Sequence, residues 1–388
     1  MLIKGKRIAI IGGGPGGLTL ARLLQMNGAD VKVYERDESE HVRVQGATLD
    51  LHEESGLKAL AKAGLMDAFK LHYRPGADKI RILDKHATII LDEHSHETSR
   101  TFDDAAYRPE IDRGPLRKLL LDSLRSHTVV WDSHVISINT EEDGWRIGFK
   151  NGTSVTADLV IAADGANSKI RPLITSVKPF YSGITIVEGA VYNSEAATPR
   201  MHALLNNGKI FALGDSKSLI VSSKGDGSLV FYTGCKTDER WWYDSQIDFA
   251  DKTQVTAWFE KEFAGWDATW LELFTNASAN FIPRPQYCMP LDQTWEALPN
   301  LTMLGDAAHV MPPYAGEGVN MAMLDALELS ECLLNTNYTS IHAAIGAYEK
   351  QMRARASEVA GVTLESTDIL HSSNAMAFMT QLLEQPNL

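Results

Sequence analysis

The first forty residues alternate apolar runs with a glycine-rich segment in a pattern that predicts a β-α-β unit. Arg7–Ile11 is a short apolar run of the kind found in a buried parallel strand. From Leu18 to Asn27 the apolar residues recur at helical spacing, and Gly28 follows as a helix-ending residue. Val31–Glu35 has the pattern of a second strand. This order is typical of a doubly wound α/β fold.

Later segments extend this pattern and then depart from it. Leu159–Ala162 and Leu301–Leu304 are two more apolar strands, and a helical pattern runs from Asn320 to Leu334. Between them the chain changes to short β-rich runs separated by Asn-Asn-Gly and Gly-Asp-Gly turns, which predicts an inserted antiparallel sheet. Its predicted strands are Val187–Val191, Lys209–Leu213, Leu219–Ser222 and Leu229–Cys235.

These changes predict an α/β protein with an α+β insert. Residues 1–75, 109–180 and 298–340 are expected to form a Rossmann-like domain, and residues 76–108 and 181–297 an antiparallel-sheet domain. Helical spacing resumes at Ile341, so residues 341–388 are expected to form C-terminal helices.

Composition excludes several classes of protein. The 388 residues carry 50 acidic against 37 basic side chains, and a net charge of −13 disfavours a nucleic-acid partner. Three cysteines are too few for a disulfide framework and fit a reducing cytoplasm. The sequence contains no apolar run long enough for a membrane span, and its first residues do not resemble a signal peptide.

The glycine-rich segment carries the first candidate chemistry. The pattern GxGxxG falls on Gly12, Gly14 and Gly17, between a predicted strand and a predicted helix. Such glycines allow a tight turn, a close backbone approach to a pyrophosphate, and close packing of helix on strand. Glu35 ends the second strand, where an acid can bind a ribose diol. The motif alone does not separate NAD from FAD.

Two further motifs follow strand ends, where an open α/β sheet places its ligand. Asp164-Gly165 follows Leu159–Ala162, and Gly305-Asp306 follows Leu301–Leu304. Gly316 and Gly318 precede the long helical segment, where backbone N–H groups can face an anionic ring or a phosphate.

In this order, the three motifs resemble those of the FAD-dependent aromatic hydroxylases built on the para-hydroxybenzoate hydroxylase fold. The resemblance is strongest to the tetracycline-degrading flavin monooxygenases. It is carried by IGGGPGGLTLARLLQ, VYERD, RVQGATLDLH, EIDRGPLR and LGDAAHVMPPYAGEGVN. It implies a Rossmann-like FAD-binding domain, a β-sheet domain that binds substrate, and a C-terminal helix that bridges them.

The resemblance also implies roles for individual residues. FAD contacts are implied at Gly12, Gly14, Gly17, Glu35, Arg36, Arg43, Asp50, Arg113, Arg117, Asp164, Gly165, Asp306, Pro313, Gly316, Gly318, Val319 and Asn320. Substrate contacts are implied at Glu188, Ile210, Val230, Tyr232, Pro313, Tyr314 and Met376. No catalytic side chain and no metal ligand are implied.

Several of these residues have a second interpretation. Arg113 and Arg117 lie one helical turn apart and could form a solvated helix surface. His309 could act as a base or could be a structural histidine. Where the tetracycline-degrading enzymes present Gln, Arg and His from the sheet above the flavin, this chain aligns Glu188, Ile210 and Val230. That difference argues against tetracycline binding in the same pose.

The resulting hypothesis is a cytoplasmic, monomeric, NADPH-consuming FAD monooxygenase that hydroxylates a phenolic or enolic polycyclic substrate through a flavin C4a-hydroperoxide. Tetracycline is the leading single candidate, and NADH remains an alternative reductant. Two other hypotheses stay open. One is a hydroxylase or epoxidase of another phenol, quinone or polyketide, and the other is a flavin-bearing protein that sequesters a ligand.

Overall fold

A parallel sheet forms the centre of the nucleotide-binding part of the molecule. The computed structural model describes residues 2–42, 46–95, 101–102, 104, 107–278 and 280–384. Within them, five parallel strands lie in the order Leu301–Met303, Leu159–Ala162, Arg7–Ile11, Asp30–Tyr34 and Val129–Val130. The predicted α/β class is therefore confirmed, and the three motifs come from the three adjacent strands at one side of this sheet.

A second, larger sheet is called the roof sheet here. Its seven strands lie in the order Ile282–Cys288, Phe180–Val191, Leu229–Lys236, Lys217–Ser223, Lys209–Gly214, Ile80–Asp84 and Ile89–Asp92. The prediction of a purely antiparallel sheet is wrong for one pair, because Lys209–Gly214 runs parallel to Ile80–Asp84. A parallel pair requires a long connection, and more than a hundred residues separate these two strands in the chain.

Smaller elements complete the fold. Ser154–Ala157, Gly144–Phe149 and Val135–Glu141 form a three-stranded antiparallel sheet, and Leu49–Asp50 pairs with Glu110–Ile111. The helices are Pro15–Met26, Glu53–Leu57, Lys58–Lys62, Met66–Lys70, Glu93–Ser95, Arg113–Asp122, Arg171–Ile174, Ser194–Ala197, Pro199–Leu205, Trp241–Asp244, Lys252–Glu262, Ala268–Trp270, Leu271–Thr275, Asp306–His309, Pro313–Ala315, Gly318–Leu334, Ile341–Leu370 and Ala375–Glu384.

The two faces of the roof sheet have different environments. One face packs on a hydrophobic core that includes Phe231, Phe259, Trp270 and Phe274. Phe259 and Phe274 stack with ring centroids 4.0 Å apart, and Phe231 meets Phe274 edge-on at 5.0 Å. This core fixes the register of the strands, because residues at alternate positions must face it. The other face is left to line a cavity.

The C-terminal helix Ile341–Leu370 joins the two parts of the fold. Near its start, Ile345 and Tyr348 belong to the core around the parallel sheet, and the Tyr348 hydroxyl donates to the Met303 carbonyl at 3.1 Å. At its end, Leu370 belongs to a small cluster with Ile82 and Leu213 of the roof sheet. None of the helices in the described ranges is both long enough and apolar enough to cross a membrane.

The backbone of the first glycine-rich turn passes very close to the backbone at the start of the second motif. Gly12 has a φ of +112°, and a Cβ atom at this position would lie 2.2 Å from the Ala163 carbonyl oxygen. Gly17 is equally crowded, since its Cβ would lie 2.2 Å from the Gly12 carbonyl oxygen. Around Gly14, by contrast, there is no protein atom within 4 Å of the Cβ position. Gly12 and Gly17 are therefore needed for packing, whereas Gly14 leaves open space.

We predict that Gly12→Ala lowers the free energy of unfolding of the apoprotein by more than about 2 kcal/mol, because the new methyl group meets both a carbonyl oxygen and an unfavourable φ. The control is Gly14→Ala, which should change stability by less than about 0.5 kcal/mol. Urea unfolding of the two variants measures the difference. An equal loss in both variants would show that this close approach does not constrain the turn.

Candidate functional site

A large cavity lies between the carboxyl ends of the parallel strands and the roof sheet. It encloses about 2140 Å³ and is lined by Gly14, Gly165 and Asp306 on one side and by Phe211 and Tyr232 on the other. Sites for one small ligand usually have volumes of about 300–1000 Å³. This cavity therefore has room for a dinucleotide together with a second molecule.

The first motif presents open backbone to this cavity. Gly14, Pro15, Gly16 and Gly17 line it at the N-terminus of the helix Pro15–Met26, where N–H groups have no partner within the helix. Glu35 holds the turn, since its carboxylate accepts from the Gly13 N–H at 2.5 Å and from the Asp37 N–H at 3.0 Å. The turn thus leaves an open space suited to a phosphate group. A side chain at Gly14 would project into that space.

The third motif turns a carboxylate toward the cavity. Asp306 lines the cavity with its side chain exposed there, and desolvation by the surrounding protein raises the pKa of its carboxyl group. Beneath it, the buried Asp325 carboxylate accepts from the Gly305 N–H at 2.9 Å, from His309 Nε2 at 2.5 Å and from Arg355 Nη2 at 2.6 Å. These bonds fix the turn from below and leave Asp306 open to a ligand.

His309 belongs to this support and not to the cavity surface. It is buried and is absent from the residues that line the cavity. Burial by itself would lower the pKa of His309, but the charge of Asp325 outweighs it and raises that pKa. Of the two interpretations, the geometry therefore favours the structural one, in which His309 pairs with Asp325.

Arg171 links the second motif to the third. Its Nη1 atom donates to the carbonyl oxygens of Ala307 at 2.9 Å and Ala308 at 2.7 Å, and its Nη2 atom donates to Gln293 at 2.7 Å. Burial lowers the pKa of Arg171 to about 10. The motif from Asp164 ends at this arginine, but sequence analysis assigned it no role, because nothing in a linear pattern indicates which carbonyls it reaches.

A cluster of charged side chains, the His52 cluster, lies where the helix Gly318–Leu334 begins. His52 Nε2 lies 3.0 Å from Asp50 Oδ2, and its Nδ1 lies 3.3 Å from Glu317 Oε1. The buried Asn320 ties the same segments together, since it accepts from the His52 N–H at 2.9 Å and donates to the Asp50 carbonyl at 2.9 Å. His52, Asp50 and Glu317 line the cavity.

The two carboxylates hold His52 in its charged form. Burial would lower the pKa of His52, but the hydrogen bonds to Asp50 and Glu317 raise it to about 9. Burial would raise the pKa of Asp50, but its bond to His52 and the charge of Lys209 lower it to about 2. Sequence analysis proposed Asp50 and missed His52, although both lie in the matched run RVQGATLDLH.

The predicted arginines have different surroundings. Arg113 lines the cavity, and its Nε donates to the Ala47 carbonyl at 3.0 Å. Arg117 pairs with Asp37 at 2.7 Å and does not line the cavity. Arg36 is exposed and also lies off the cavity surface, whereas Arg43 falls outside the described residues.

The roof sheet presents residues other than those that the alignment proposed. Ile210 is fully buried in the core behind the sheet, so its proposed contact with substrate is wrong. Because side chains alternate along a strand, its neighbours Lys209 and Phe211 face the cavity instead. Val230 is buried but does not line the cavity, whereas Tyr232, two residues later, does.

The remaining roof charges are paired within the protein. Glu188 lines the cavity and binds Arg284 Nε at 2.6 Å. Lys209 forms an ion pair with Glu110, and both line the cavity. An anionic substrate group would therefore have to compete with a carboxylate for either cation.

At the C-terminal end, the predicted methionine also lies off the cavity. Met376 packs against the small cluster around Leu370 and is not among the residues that line the cavity. Phe378 and Met379, from the same helix Ala375–Glu384, line the cavity instead. At about 100° of rotation per residue, Phe378 lies about 200° around the helix from Met376, whereas Met379 lies only about 60° from it.

Apart from Arg36, Arg43 and Arg117, the predicted cofactor residues form or support a surface that fits FAD. Those that line the cavity are Gly14, Gly17, Asp50, Arg113, Gly165, Asp306, Pro313, Gly316, Gly318 and Val319. Gly12, Glu35, Asp164 and Asn320 lie behind this surface, where Asp164 accepts from the Lys169 N–H at 2.8 Å. The open space at Gly14 would receive the pyrophosphate, and the open carboxylate of Asp306 would accept from a ribityl hydroxyl.

Comparison with known proteins agrees with this geometry. A family model described as an FAD binding domain matches residues 6–363. The chain is 27% identical to monooxygenase penA of Penicillium thymicola, over 97% of this chain and 98% of that protein. In structure, it resembles Klebsiella pneumoniae HpxO in complex with FAD and uric acid, with a TM-score of 0.77, 22% identity and coverage of 100% and 94%. It also resembles the tetracycline destructase Tet(55), with a TM-score of 0.75, 20% identity and coverage of 100% and 97%.

We predict that Asp306→Ala weakens FAD binding about 5- to 150-fold, since a flavin hydroxyl that loses its acceptor on binding costs about 1–3 kcal/mol. Asp306→Asn keeps an acceptor oxygen and should lose less. Titration of the apoprotein with FAD, followed by flavin fluorescence, measures both dissociation constants. Wild-type affinity in Asp306→Ala would show that this carboxylate does not contact the flavin.

The raised pKa of His52 predicts a pH-dependent contribution to stability. The folded-state value of about 9 lies above the ordinary value of 6.5, so the contribution is complete below about pH 6.5 and is lost as the pH rises through about 9. Its upper limit is about 3 kcal/mol. Urea unfolding of wild type and His52→Gln should show a stability difference at about pH 6 that shrinks at about pH 10.

The control for His52→Gln is His72→Gln, which changes an exposed histidine. It should leave stability unchanged across the same pH range, because an exposed side chain contributes little. A difference between wild type and His52→Gln that is constant with pH would argue against a charged His52.

Proposed function

This chain belongs to the FAD binding domain family and is an FAD-dependent monooxygenase, and we propose that it uses NADPH and oxygen to hydroxylate a phenolic or enolic polycyclic compound. When bound, FAD supplies the means to activate oxygen for transfer to an electron-rich carbon. One oxygen atom enters the product and the other leaves as water, while NADPH provides two electrons. Tetracycline is the leading single candidate for the substrate.

The observation that carries this proposal is the continuity of one cavity from the flavin-binding residues to an apolar wall. Asp306 and Gly165 lie on its cofactor side, and Phe211, Ile220 and Met379 lie on its far side. Oxygen transfer by a flavin requires a site that excludes water. The apolar wall would keep water from the reacting carbon, and the cofactor side would hold the ring system in place.

Tyr232 is the residue we propose to orient the substrate. Its hydroxyl accepts from the Ala47 N–H at 2.6 Å, which leaves its own proton free to donate. Burial, with a smaller contribution from Glu188, raises the pKa of Tyr232 to about 12, so the hydroxyl stays protonated at neutral pH. A donor beside the ion pair Glu188–Arg284 suits the oxygen of a neutral phenol, enol or ketone better than a carboxylate.

Tetracycline remains a proposal supported by the sequence motifs and by the size of the cavity. The polar groups that the roof sheet offers here include Glu188, Lys209, Ser222 and Tyr232, whereas Ile210 faces the core. The drug would therefore make different contacts from those in the tetracycline-degrading enzymes. Another phenol, quinone or polyketide is favoured as the second candidate by the same observation.

We further propose that residues 1–75, 109–180 and 298–340 act as the FAD-binding domain and residues 76–108 and 181–297 as the substrate-binding domain. The two roof strands Ile80–Asp84 and Ile89–Asp92, which come from the first insert, support this division. Residues 341–388 supply the bridging helices. NADPH would have no domain of its own and would dock transiently at the same cavity.

The test is a screen of tetracyclines and simple phenols for stimulated NADPH oxidation by the FAD-loaded protein. We expect at least one compound to stimulate oxidation and to yield a product heavier by one oxygen atom in mass spectrometry. NADH in place of NADPH, under the same conditions, compares the reductants. If a phenol is oxygenated and tetracycline is not, tetracycline is rejected as the substrate and the monooxygenase function stands. If a compound binds tightly and no compound is turned over, the result favours a protein that sequesters its ligand.

A further inference from the structure

A buried histidine at the end of the bridging helix joins three separate parts of the fold. His371 directly follows the helix Ile341–Leu370 and is fully buried. Its Nε2 atom lies 3.1 Å from the Ser218 hydroxyl of the roof sheet and 3.3 Å from the Tyr314 hydroxyl of the turn Pro313–Ala315. A single ring nitrogen thus meets the roof sheet and the turn that flanks the cofactor side.

The other ring nitrogen determines what Nε2 can do. His371 Nδ1 lies 2.7 Å from the Thr367 carbonyl oxygen. A carbonyl only accepts, so Nδ1 carries the proton and Nε2 of the neutral ring is an acceptor. Burial, together with the charge of Lys236, lowers the pKa of His371 to about 4, which keeps the ring neutral. Nε2 has one lone pair, so the hydroxyls of Ser218 and Tyr314 share it as donors.

A glycine in the roof sheet provides the room for this contact. A Cβ atom at Gly234 would lie 2.3 Å from His371 Nε2, 2.4 Å from the Ser218 hydroxyl and 2.5 Å from the Tyr314 hydroxyl. All three polar atoms thus converge on the space that a side chain would occupy. A glycine inside a strand weakens the strand, so its presence here is consistent with close approach of other groups.

Tyr314 connects the contact at His371 to the cavity. Its ring lines the cavity and meets the His371 ring edge-on, with centroids 4.9 Å apart. It also packs with Phe211 of the roof sheet and Phe378 of the last helix against the cluster around Leu370. Any rotation of the tyrosine that breaks its bond to His371 would change the wall between the flavin side and the substrate side.

We propose that His371 is a positioning residue that, with Ser218, holds the Tyr314 ring as a wall of the cavity. The bridging helix would then control how well the cavity fits its substrate and excludes water. The role in turnover rests on the proposed monooxygenase function, whereas the closure of the wall does not.

The wall can be tested without a substrate. Acrylamide quenching of flavin fluorescence in the FAD-loaded protein reports how easily a small molecule reaches the bound ring. Tyr314→Phe and His371→Leu should each raise the quenching constant about 2- to 10-fold. Loss of one neutral hydrogen bond changes the ratio of open to closed positions of the Tyr314 wall by about that factor. The double variant should exceed neither single variant, since both remove the same bond.

Two further variants separate positioning from general loosening of the fold. His371→Gln keeps an acceptor oxygen and should restore most of the protection. Thr367→Val removes a buried hydroxyl that donates within its own helix, to the Thr363 carbonyl at 2.6 Å, and should leave quenching unchanged. Wild-type quenching in Tyr314→Phe, or an increase in Thr367→Val equal to that in His371→Leu, would overturn the proposal.

A turnover experiment then tests the consequence for catalysis. With any compound that stimulates NADPH oxidation in the screen, Tyr314→Phe should raise KM and the fraction of NADPH lost to hydrogen peroxide, with little change in kcat. Unchanged KM and peroxide release in both Tyr314→Phe and His371→Leu would contradict the role in turnover. If wild type oxidises no compound, the proposed function fails, and the quenching experiment still tests the wall.

Discussion

The buried carboxylate of Asp325 is the interaction on which the cofactor side of the cavity depends. An uncompensated charge in a protein interior is costly, and Asp325 is stable only because the Gly305 N–H, His309 and Arg355 all bond to it. These three partners belong to the turn after a parallel strand and to the bridging helix. Satisfying one buried charge therefore fixes the turn that presents Asp306 and anchors the helix that closes the cavity.

Arg171 completes this support from the opposite side. It donates to the carbonyl groups of the short helix Asp306–His309, which is too short to satisfy its own backbone. The Asp325 carboxylate thus holds the segment of residues 305–309 at its first and last residues, and the Arg171 guanidinium binds the carbonyls of Ala307 and Ala308 between them. The physical result is a preorganised acceptor at Asp306, and a site that is rigid before binding loses less entropy when it binds.

The substrate side is built differently. Its cations are paired with carboxylates, and its walls are apolar side chains from the roof sheet and the C-terminal helices. Specificity on this side would come from shape and from a few hydroxyl donors. The bridging helix bonds to both sides, through Arg355 and through His371, so the two halves of the cavity share one structural element.

Sequence alone determined the strand, turn and helix of the first motif, the fold class and the family, because these depend on local glycine chemistry and on period-two or helical spacing. It could not decide which residues of the roof sheet face the cavity. A shift of one residue exchanges the two faces of a strand, and only packing against the core of Phe231 and Phe274 sets that register, which is why Ile210 was misplaced and Lys209 and Phe211 were missed. Nor could it find His52, Arg171 or His371. Glu317 for His52, the carbonyls of Ala307 and Ala308 for Arg171, and Ser218 and Tyr314 for His371 all lie far away in the chain. Only the tertiary structure brings these donors and acceptors together.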